Sequence, residues 1–311
     1  MPPESSGSFP VETIRKQAIC MAYLGLDIGG TSVKAAIVDA SGAVIGSSRS
    51  DEYARPAIES LIAAVSAAVP PCGESIDGVG LCVPGLLDAG KSRVEYSANL
   101  PALQEMPLRQ IVQLAIGPKA VSASERIVVH SDASAAAYGY WFTSRPHGRL
   151  LALSLGTGVG AAVIDDGELL RVTGESAGHI GQLDVSLDAD APIGPDGGRG
   201  GLEGYIGAVA LRRTLGPDFP ARLGSLDEHA APIRVLARAI RICHAIYRPQ
   251  EIALLGYIGM SLAPAATSLR AAVDRDLTRV ARADWRLRFA NSPHLAAEGV
   301  ARLAARGNVP A

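Results

Sequence analysis

Cysteine, lysine and long apolar runs are all in short supply in this chain of 311 residues. Cys20, Cys72, Cys82 and Cys243 form no CxxC pair, which argues against a disulfide framework and against a cysteine zinc site. The lysines are Lys16, Lys34, Lys91 and Lys119, so basic charge is nearly all arginine; 29 basic against 31 acidic residues leave a net charge of −2. That balance gives no electrostatic case for a nucleic-acid partner. No window is long and apolar enough to span a bilayer, and residues 1–20 lack the apolar segment of a signal peptide. The expectation is a chain without a membrane partner, in a cytoplasmic setting. Aromatics reach only 5%. What is abundant is apolar side chain, 48% against 19% charged, and glycine, 34 residues without a collagen period. A large core is therefore available, disorder of the bulk is excluded, and many tight turns or close backbone approaches are expected.

Residues 1–21 read as a flexible leader rich in Pro and Ser, with Met21 standing directly before the first strong strand. Strands are expected at Tyr23–Ile28, Val33–Val38, Ala43–Ser47, Ile76–Val83 and Arg126–His130. Helical spacing predicts helices over Pro56–Val69, with Ile58, Leu61, Ile62 and Val65 on one face, and over Leu103–Ile116. Ser131–Phe142 is Ala-rich and opens on residues that cap helices well. After the breaker Arg145-Pro146-His147-Gly148 come strands at Leu150–Leu155 and Ala161–Ile164. A Gly/Pro/Asp loop follows at 186–201, then a helix over Ile233–Tyr247 with Leu236, Ile240, Cys243 and Ile246 inward. The strand Glu251–Leu255 runs into Gly256, and a helix over Ala296–Ala305 closes the chain. Alternating strands and helices place the fold in the α/β class.

One pattern occurs twice. LGLDIGGTSVKAAIVDASGAVI and LSLGTGVGAAVIDDGELL share the order strand, Gly/Thr turn, strand, Asp turn, strand, with Gly156 lying 126 residues after Gly30. This internal repeat implies two related lobes with a cleft between them. In the first turn, Gly29 and Gly30 let backbone N–H groups converge on an anion, and Thr31 adds a hydroxyl. Asp27 could hold magnesium through water and Lys34 could add a point charge. A plain hairpin with a permissive turn explains either copy taken singly; the doubling favours a phosphate grip. Asp132 has two compatible readings, a helix N-cap or a general base toward a substrate hydroxyl.

These segments, in this order, resemble the ROK group of sugar kinases and sugar-responsive repressors within the actin-like ATPase superfamily. LGLDIGGTSVKAAIVD is similar to the family's first phosphate motif, and VGLCVPGLLD followed by SANLP to its sugar-side strand and loop. SDASAAAYGY resembles the segment with the catalytic aspartate, and LSLGTGVGAAVIDDGELLRVTGESAGHIG the second phosphate motif and its following signature. The resemblance covers nearly all of residues 22–305. It implies a two-lobed, ribonuclease H-like α/β fold, with an N-terminal lobe over 22–131 closed by a C-terminal helix at about 290–311, and a C-terminal lobe over 132–289. It implies Asp132 as base toward a sugar hydroxyl. ATP and Mg2+ would be held by Asp27, Gly29, Gly30, Thr31, Lys34, Gly156, Thr157 and Gly158, with Gly256 near the adenosine. Sugar contacts would come from Asn99, Ser131, His179, Gln182 and Glu203, and a hinge near Arg145–Gly148 would let the lobes close. The resemblance also allows a homo-oligomer such as a dimer.

The departures from the family pattern are specific. Where relatives read Gly-Glu-x-Gly-His, this chain has Gly178-His179-Ile180-Gly181-Gln182, and Ser131 and Ser134 replace two Asn. A carboxylate only accepts hydrogen bonds, whereas neutral His offers one donor and one acceptor, so sugar selectivity is expected to differ. The positions of the family's zinc ligands are Gln182, Gly194, Asp196 and Gly201, so no structural zinc is expected. Tyr257 stands where relatives have consecutive glycines, placed to stack on an adenine or to block it. Three readings remain open: an ATP-dependent sugar kinase; a sugar- or nucleotide-binding protein without catalysis; and a DNA-binding repressor. The repressor reading needs a helix-turn-helix of a length the twenty Pro/Ser-rich residues before the fold do not supply.

Overall fold

The computed structural model describes residues 21–72, 75–97, 100–117, 127–172, 177–195, 197–281 and 284–306. The proposed leader, Asn99 and Asp196 fall outside the described residues. The first sheet is built from β1 (Ala22–Ile28), β2 (Val33–Asp39), β3 (Val44–Arg49), β4 (Ile76–Cys82) and β7 (Ile127–His130), in the order β3-β2-β1-β4-β7. A two-stranded ribbon, β5 (Leu86–Leu87) with β6 (Val94–Tyr96), projects from it. The second sheet comprises β8 (Leu150–Leu155), β9 (Val159–Asp165), β10 (Glu168–Leu169), β11 (Glu251–Leu255) and β12 (Arg286–Phe289), in the order β10-β9-β8-β11-β12. In both sheets an antiparallel hairpin pairs with a parallel strand, which pairs in parallel with a second. The sequence repeat is thus a repeat of topology, and the two Gly/Thr turns occupy equivalent places in it.

The helices are α1 (Ile58–Ala68), α2 (Leu108–Ile116), α3 (Asp132–Ser144), α4 (Glu203–Ile206), α5 (Ala208–Leu215), α6 (Phe219–Leu223), α7 (Ala231–Tyr247), α8 (Gly256–Ser261), α9 (Ala266–Asp274) and α10 (Leu295–Arg306). Two expectations need correction. The helix expected over Leu103–Ile116 is split into a 3₁₀ turn at Pro101–Gln104 and α2, with Pro107 between them. Proline restricts the residue before it to extended conformations and has no N–H for the preceding turn, so the helix restarts at Leu108. On α7, Leu236, Ile240 and Cys243 are buried as expected, but Ile246 is 59% exposed. It points outward in the final turn, where Cys243 and Tyr247 occupy the buried face.

Apolar periodicity explains where the cores lie. Leu24, Leu26 and Ile28 of β1 join Leu61, Val65, Ile111 and Val112 in one cluster. Leu153, Val163, Ile240, Ile252 and Leu254 belong to the other. The element that connects the halves is α10, and it lies unusually close to its supports. A Cβ on Gly25 would come within 1.9 Å of the Ala297 carbonyl oxygen, and one on Gly80 within 2.1 Å of that of Val300. Gly25 and Gly80 are register partners on β1 and β4, so together they form a flat seat for the helix. On its other side α10 meets α3: a Cβ on Gly139 would lie 2.0 Å from the Leu295 oxygen, and one on Gly299 1.9 Å from the Ala135 oxygen. The ion pair Glu298–Arg302 is buried along α10, and Arg302 Nε also donates to the Gly42 carbonyl at 2.9 Å in the β2–β3 turn.

Because backbone atoms stand on both sides of Gly299, a methyl group there cannot be relieved by moving a side chain. Gly299→Ala is expected to destabilise the protein by about 3 kcal/mol, at the upper end of overpacking costs, read as a lower urea midpoint. A change within experimental error would contradict the close approach.

Candidate active site

Strand register assembles the first half of the site. Asp27 sits on β1 opposite Lys34 of β2 on one side and Cys82 of β4 on the other. Its carboxylate accepts from Lys34 Nζ at 3.2 Å and from the Cys82 thiol at 3.5 Å, and the residue is 8% exposed. Burial first, and the nearby carboxylate charges second, hold the Cys82 thiol well above its usual pKa, so it stays protonated as a donor. Cys82 in turn is opposite His130 of β7, and Ser131 and Asp132 follow at once. The sheet therefore carries the chain from Asp27 to Asp132 across neighbouring strands, each spaced by roughly 5 Å.

The first Gly/Thr turn is braced from outside the hairpin. The Tyr53 hydroxyl donates to the Gly29 carbonyl at 2.6 Å, and the Tyr53 N–H donates to that of Thr31 at 2.8 Å. Burial, assisted by the Asp27 charge, raises the Tyr53 hydroxyl pKa, so it stays a donor. No local sequence signal marks Tyr53, because its role depends on a loop returning across the turn. Thr31 is exposed at the first turn and Thr157 at the second. Among the described residues, left-handed backbone occurs at Gly178 and Gly256 but at none of Gly29, Gly30, Gly156 and Gly158. At Gly29 and Gly158 a Cβ would stand 3.0 Å from the Ser32 carbonyl oxygen and from Glu203 Oε2, so there the bare backbone gives room rather than an unusual dihedral.

The second turn is tied to the opposite wall. Ala208 N–H, at the start of α5, donates to the Gly156 carbonyl at 3.1 Å, and Glu203 Oε2 accepts the Val159 N–H at 2.9 Å. Tyr257, 44% exposed on α8, lies beside this turn, where a Cβ on Gly156 would be 3.9 Å from its ring. Its ring also packs at a tilt against Phe219 with centroids 6.2 Å apart. Gly256 directly precedes it with φ of 75°, a left-handed conformation that suits glycine.

Where the start of α3 meets β9 and the 178–182 segment is a cavity of about 280 Å³ lined by Ser131, Asp132, His179, Gln182 and Glu203, among others. Five of the sequence-derived candidates thus meet in one place. Asn99 lies outside the described residues. The N-cap of α3 is Ser131, whose hydroxyl accepts the Ser134 N–H at 3.3 Å and donates to Ser134 Oγ at 2.9 Å. Capping is therefore done by Ser131. The Asp132 carboxylate accepts locally, from the Ala133 N–H at 2.8 Å and from its own N–H, and is presented to the cavity. Solvent reaches Asp132, yet protein crowds it on the remaining sides. That desolvation raises its pKa above the usual carboxylate value, the Asp27 charge raises it further, and the Ala133 N–H and Lys34 partly oppose them. Gly160 and Gly181 let the walls come this close: a Cβ on either would press on Ala133 Cβ at 2.8 Å or on the Val159 carbonyl at 2.4 Å.

The stretch where relatives would place zinc ligands is closed by backbone hydrogen bonds. Val185 N–H donates to Gly200 O at 2.9 Å, Gly200 N–H to Pro192 O at 2.8 Å, and Leu202 N–H to Leu183 O at 3.0 Å. Among the described residues no group of three or more His, Cys, Asp or Glu side chains is arranged to hold a metal ion. No helix of the described residues is long and apolar enough to cross a membrane.

The model of the ROK family matches residues 23–306. A glucokinase from Thermotoga maritima is 29% identical over 199 residues, 63% of this chain, and the chain spans 60% of that relative's length. An N-acetylmannosamine kinase from Escherichia fergusonii is 29% identical over 256 residues, 78% of this chain and 84% of the relative. Among solved structures, a ROK family glucokinase from Streptomyces griseus in complex with glucose and AMPPNP superposes with a TM-score of 0.67, at 22% identity, over 92% of this chain and 100% of that one. The fold is the two-lobed actin-like ATPase fold.

A raised carboxyl pKa has a consequence for folding. Below its unfolded pKa Asp132 is protonated in both states and costs nothing; as pH rises through the folded pKa, ionisation in the crowded cavity lowers stability. Asp132→Asn should therefore raise the urea midpoint at about pH 8 and leave it unchanged at about pH 3. A lowered midpoint at the higher pH would show that the carboxylate is stabilised by its surroundings instead.

Proposed function

Because the chain belongs to the ROK family, we propose that its cleft transfers the γ-phosphoryl group of ATP to a sugar hydroxyl. The observation that carries this reading is that Asp132, uncommitted to capping its helix, shares one cavity with His179, Gln182 and Glu203. In this reading the cavity holds the sugar, and the Asp132 carboxylate takes the proton from the hydroxyl as its oxygen attacks phosphorus. The elevated pKa suits the task, since a base closer to neutrality accepts a proton more readily. Glu203, already holding Val159 N–H through Oε2, would accept from a sugar hydroxyl, while His179 and Gln182, both exposed to the cavity, can each donate and accept.

The two turns and their threonine hydroxyls, with Lys34, would face the triphosphate. Asp27 suits magnesium. It supplies one hard carboxylate beside the phosphate turn, and the absence of a three-ligand cluster among the described residues fits an ion that keeps much of its water and relies on substrate phosphates. Bound there, the ion would neutralise charge developing on the phosphates. Tyr257 would lie along the base or ribose of the nucleotide, since it flanks the second turn at the Gly256 bend. Arg145 and Gly148, both with left-handed backbone after α3, are the joints at which the lobes would close. Such a reaction belongs in the cytoplasm, where ATP is at hand.

The sugar class is tested by ADP release over a panel of hexoses, amino sugars and N-acetyl hexosamines. Wild type should turn over at least one, and Asp132→Asn should lose roughly 10² to 10⁴ in kcat with little change in KM for ATP. Retention of full activity in the variant would remove Asp132 from this role. Saturable sugar binding with no turnover of any panel member would favour a binding protein without catalysis. Tyr257→Ala separates stacking from obstruction: stacking predicts a KM for ATP raised about fivefold or more, at about 1 kcal/mol per ring contact, and obstruction predicts a fall.

A further inference from the structure

A second cavity, of about 290 Å³, lies away from the cleft and matches the first in capacity. Its walls carry Arg234, Arg238, Arg241 and Arg275 against only two carboxylates, Glu228 and Asp276. Three of these arginines, 234, 238 and 241, recur on one face of α7 at helical spacing, where like charges repel and some counter-charge is needed. The carboxylates do not supply enough. Glu228 pairs with Arg275, and Asp276 lies 3.5 Å from Arg241, which also donates to the Ala272 carbonyl at 3.0 Å. Arg238 donates to the Ser186 carbonyl at 2.6 Å and also feels the Asp184 carboxylate, which lies outside the pocket lining. Arg234 is exposed and forms no ion pair with any described residue. The floor is apolar, from Leu187 and Ala237.

We propose that this pocket binds a phosphate-bearing small anion. Guanidinium groups present flat pairs of N–H donors that match phosphate oxygens two at a time, and four of them converge on one concave space with an excess of positive charge. The apolar floor gives a small organic body room beside the phosphate, so the occupant is either a phosphorylated sugar or inorganic phosphate itself. Leu187 of this pocket follows Ser186, whose carbonyl Arg238 holds, and the two cavities have no lining residue in common. The proposal concerns binding alone and stands whether or not the cleft is a kinase.

The test titrates inorganic phosphate and, separately, glucose 6-phosphate into the intact protein by calorimetry, with chloride at matched ionic strength as control. Arg234→Ala is the diagnostic variant, because an exposed, unpaired side chain can be removed without unfolding the helix. Saturable binding to wild type, weakened about tenfold or more in Arg234→Ala and only partly restored in Arg234→Lys, supports the site. Tighter binding of glucose 6-phosphate than of phosphate identifies a phosphorylated sugar as the occupant; equal affinity identifies phosphate. Binding that is absent, or unaltered in Arg234→Ala, overturns the proposal, and sugar-dependent ADP release, measured separately, reports on the cleft.

Discussion

Everything in this fold that concerns the cleft depends on how closely α10 approaches its neighbours. Gly25 and Gly80 make a seat of bare backbone on the first sheet, and Gly139 and Gly299 let α3 and α10 touch backbone to backbone. The chain closes its N-terminal half with its last helix, and that helix fixes α3 on the sheet. Since α3 begins at Asp132, the same contact fixes the carboxylate relative to Asp27 and Cys82. Packing of this kind tolerates no added methyl group, so it resists drift in a position where small displacements cost much in rate.

Electrostatics then divides the labour between two aspartates. Asp27 is buried but partnered, by Lys34 in register on one side and by the Cys82 thiol on the other. Asp132 has no cation bonded to it among the described residues, is crowded by the cavity walls, and feels the charge of Asp27. One carboxylate is bonded on two sides beside the first Gly/Thr turn, and the other is left open to the cavity. Ser131 makes that division possible by taking over the capping of α3, which a lone Asp at a helix start would otherwise perform.

Much of this was legible in the order of residues. The doubled strand-turn-strand pattern anticipated two related lobes, in which the structure shows sheets of equivalent strand order, and the Ala-rich helix after a short strand anticipated α3. What escaped is long-range. Nothing near Tyr53 announces that it will clamp the Gly29–Thr31 turn, and nothing near Gly25 or Gly80 announces a helix arriving from residues 295–306. The glycines of the two Gly/Thr turns were legible as glycines, but none of Gly29, Gly30, Gly156 and Gly158 has left-handed backbone, and close neighbours constrain Gly29 and Gly158. Local overrides account for other differences. Pro107 divides a periodic segment into a 3₁₀ turn and a helix, and Ile246 faces outward in the last turn of α7, where Tyr247 takes the buried place. The arginines of α7 were visible only as charge until the fold brought Arg275 alongside them.

The central claim is that Asp132 is the base in phosphoryl transfer to a sugar hydroxyl, held in place by α10. Its most direct test follows the phosphorus itself, by ³¹P spectra of ATP, magnesium and sugar incubated with the protein. The account predicts a new phosphomonoester resonance growing in step with ADP for wild type, and none over the same interval for an Asp132→Asn protein that still binds ATP. A phosphomonoester formed at the wild-type rate by that variant, or ATP consumed to inorganic phosphate with no sugar ester, would contradict it.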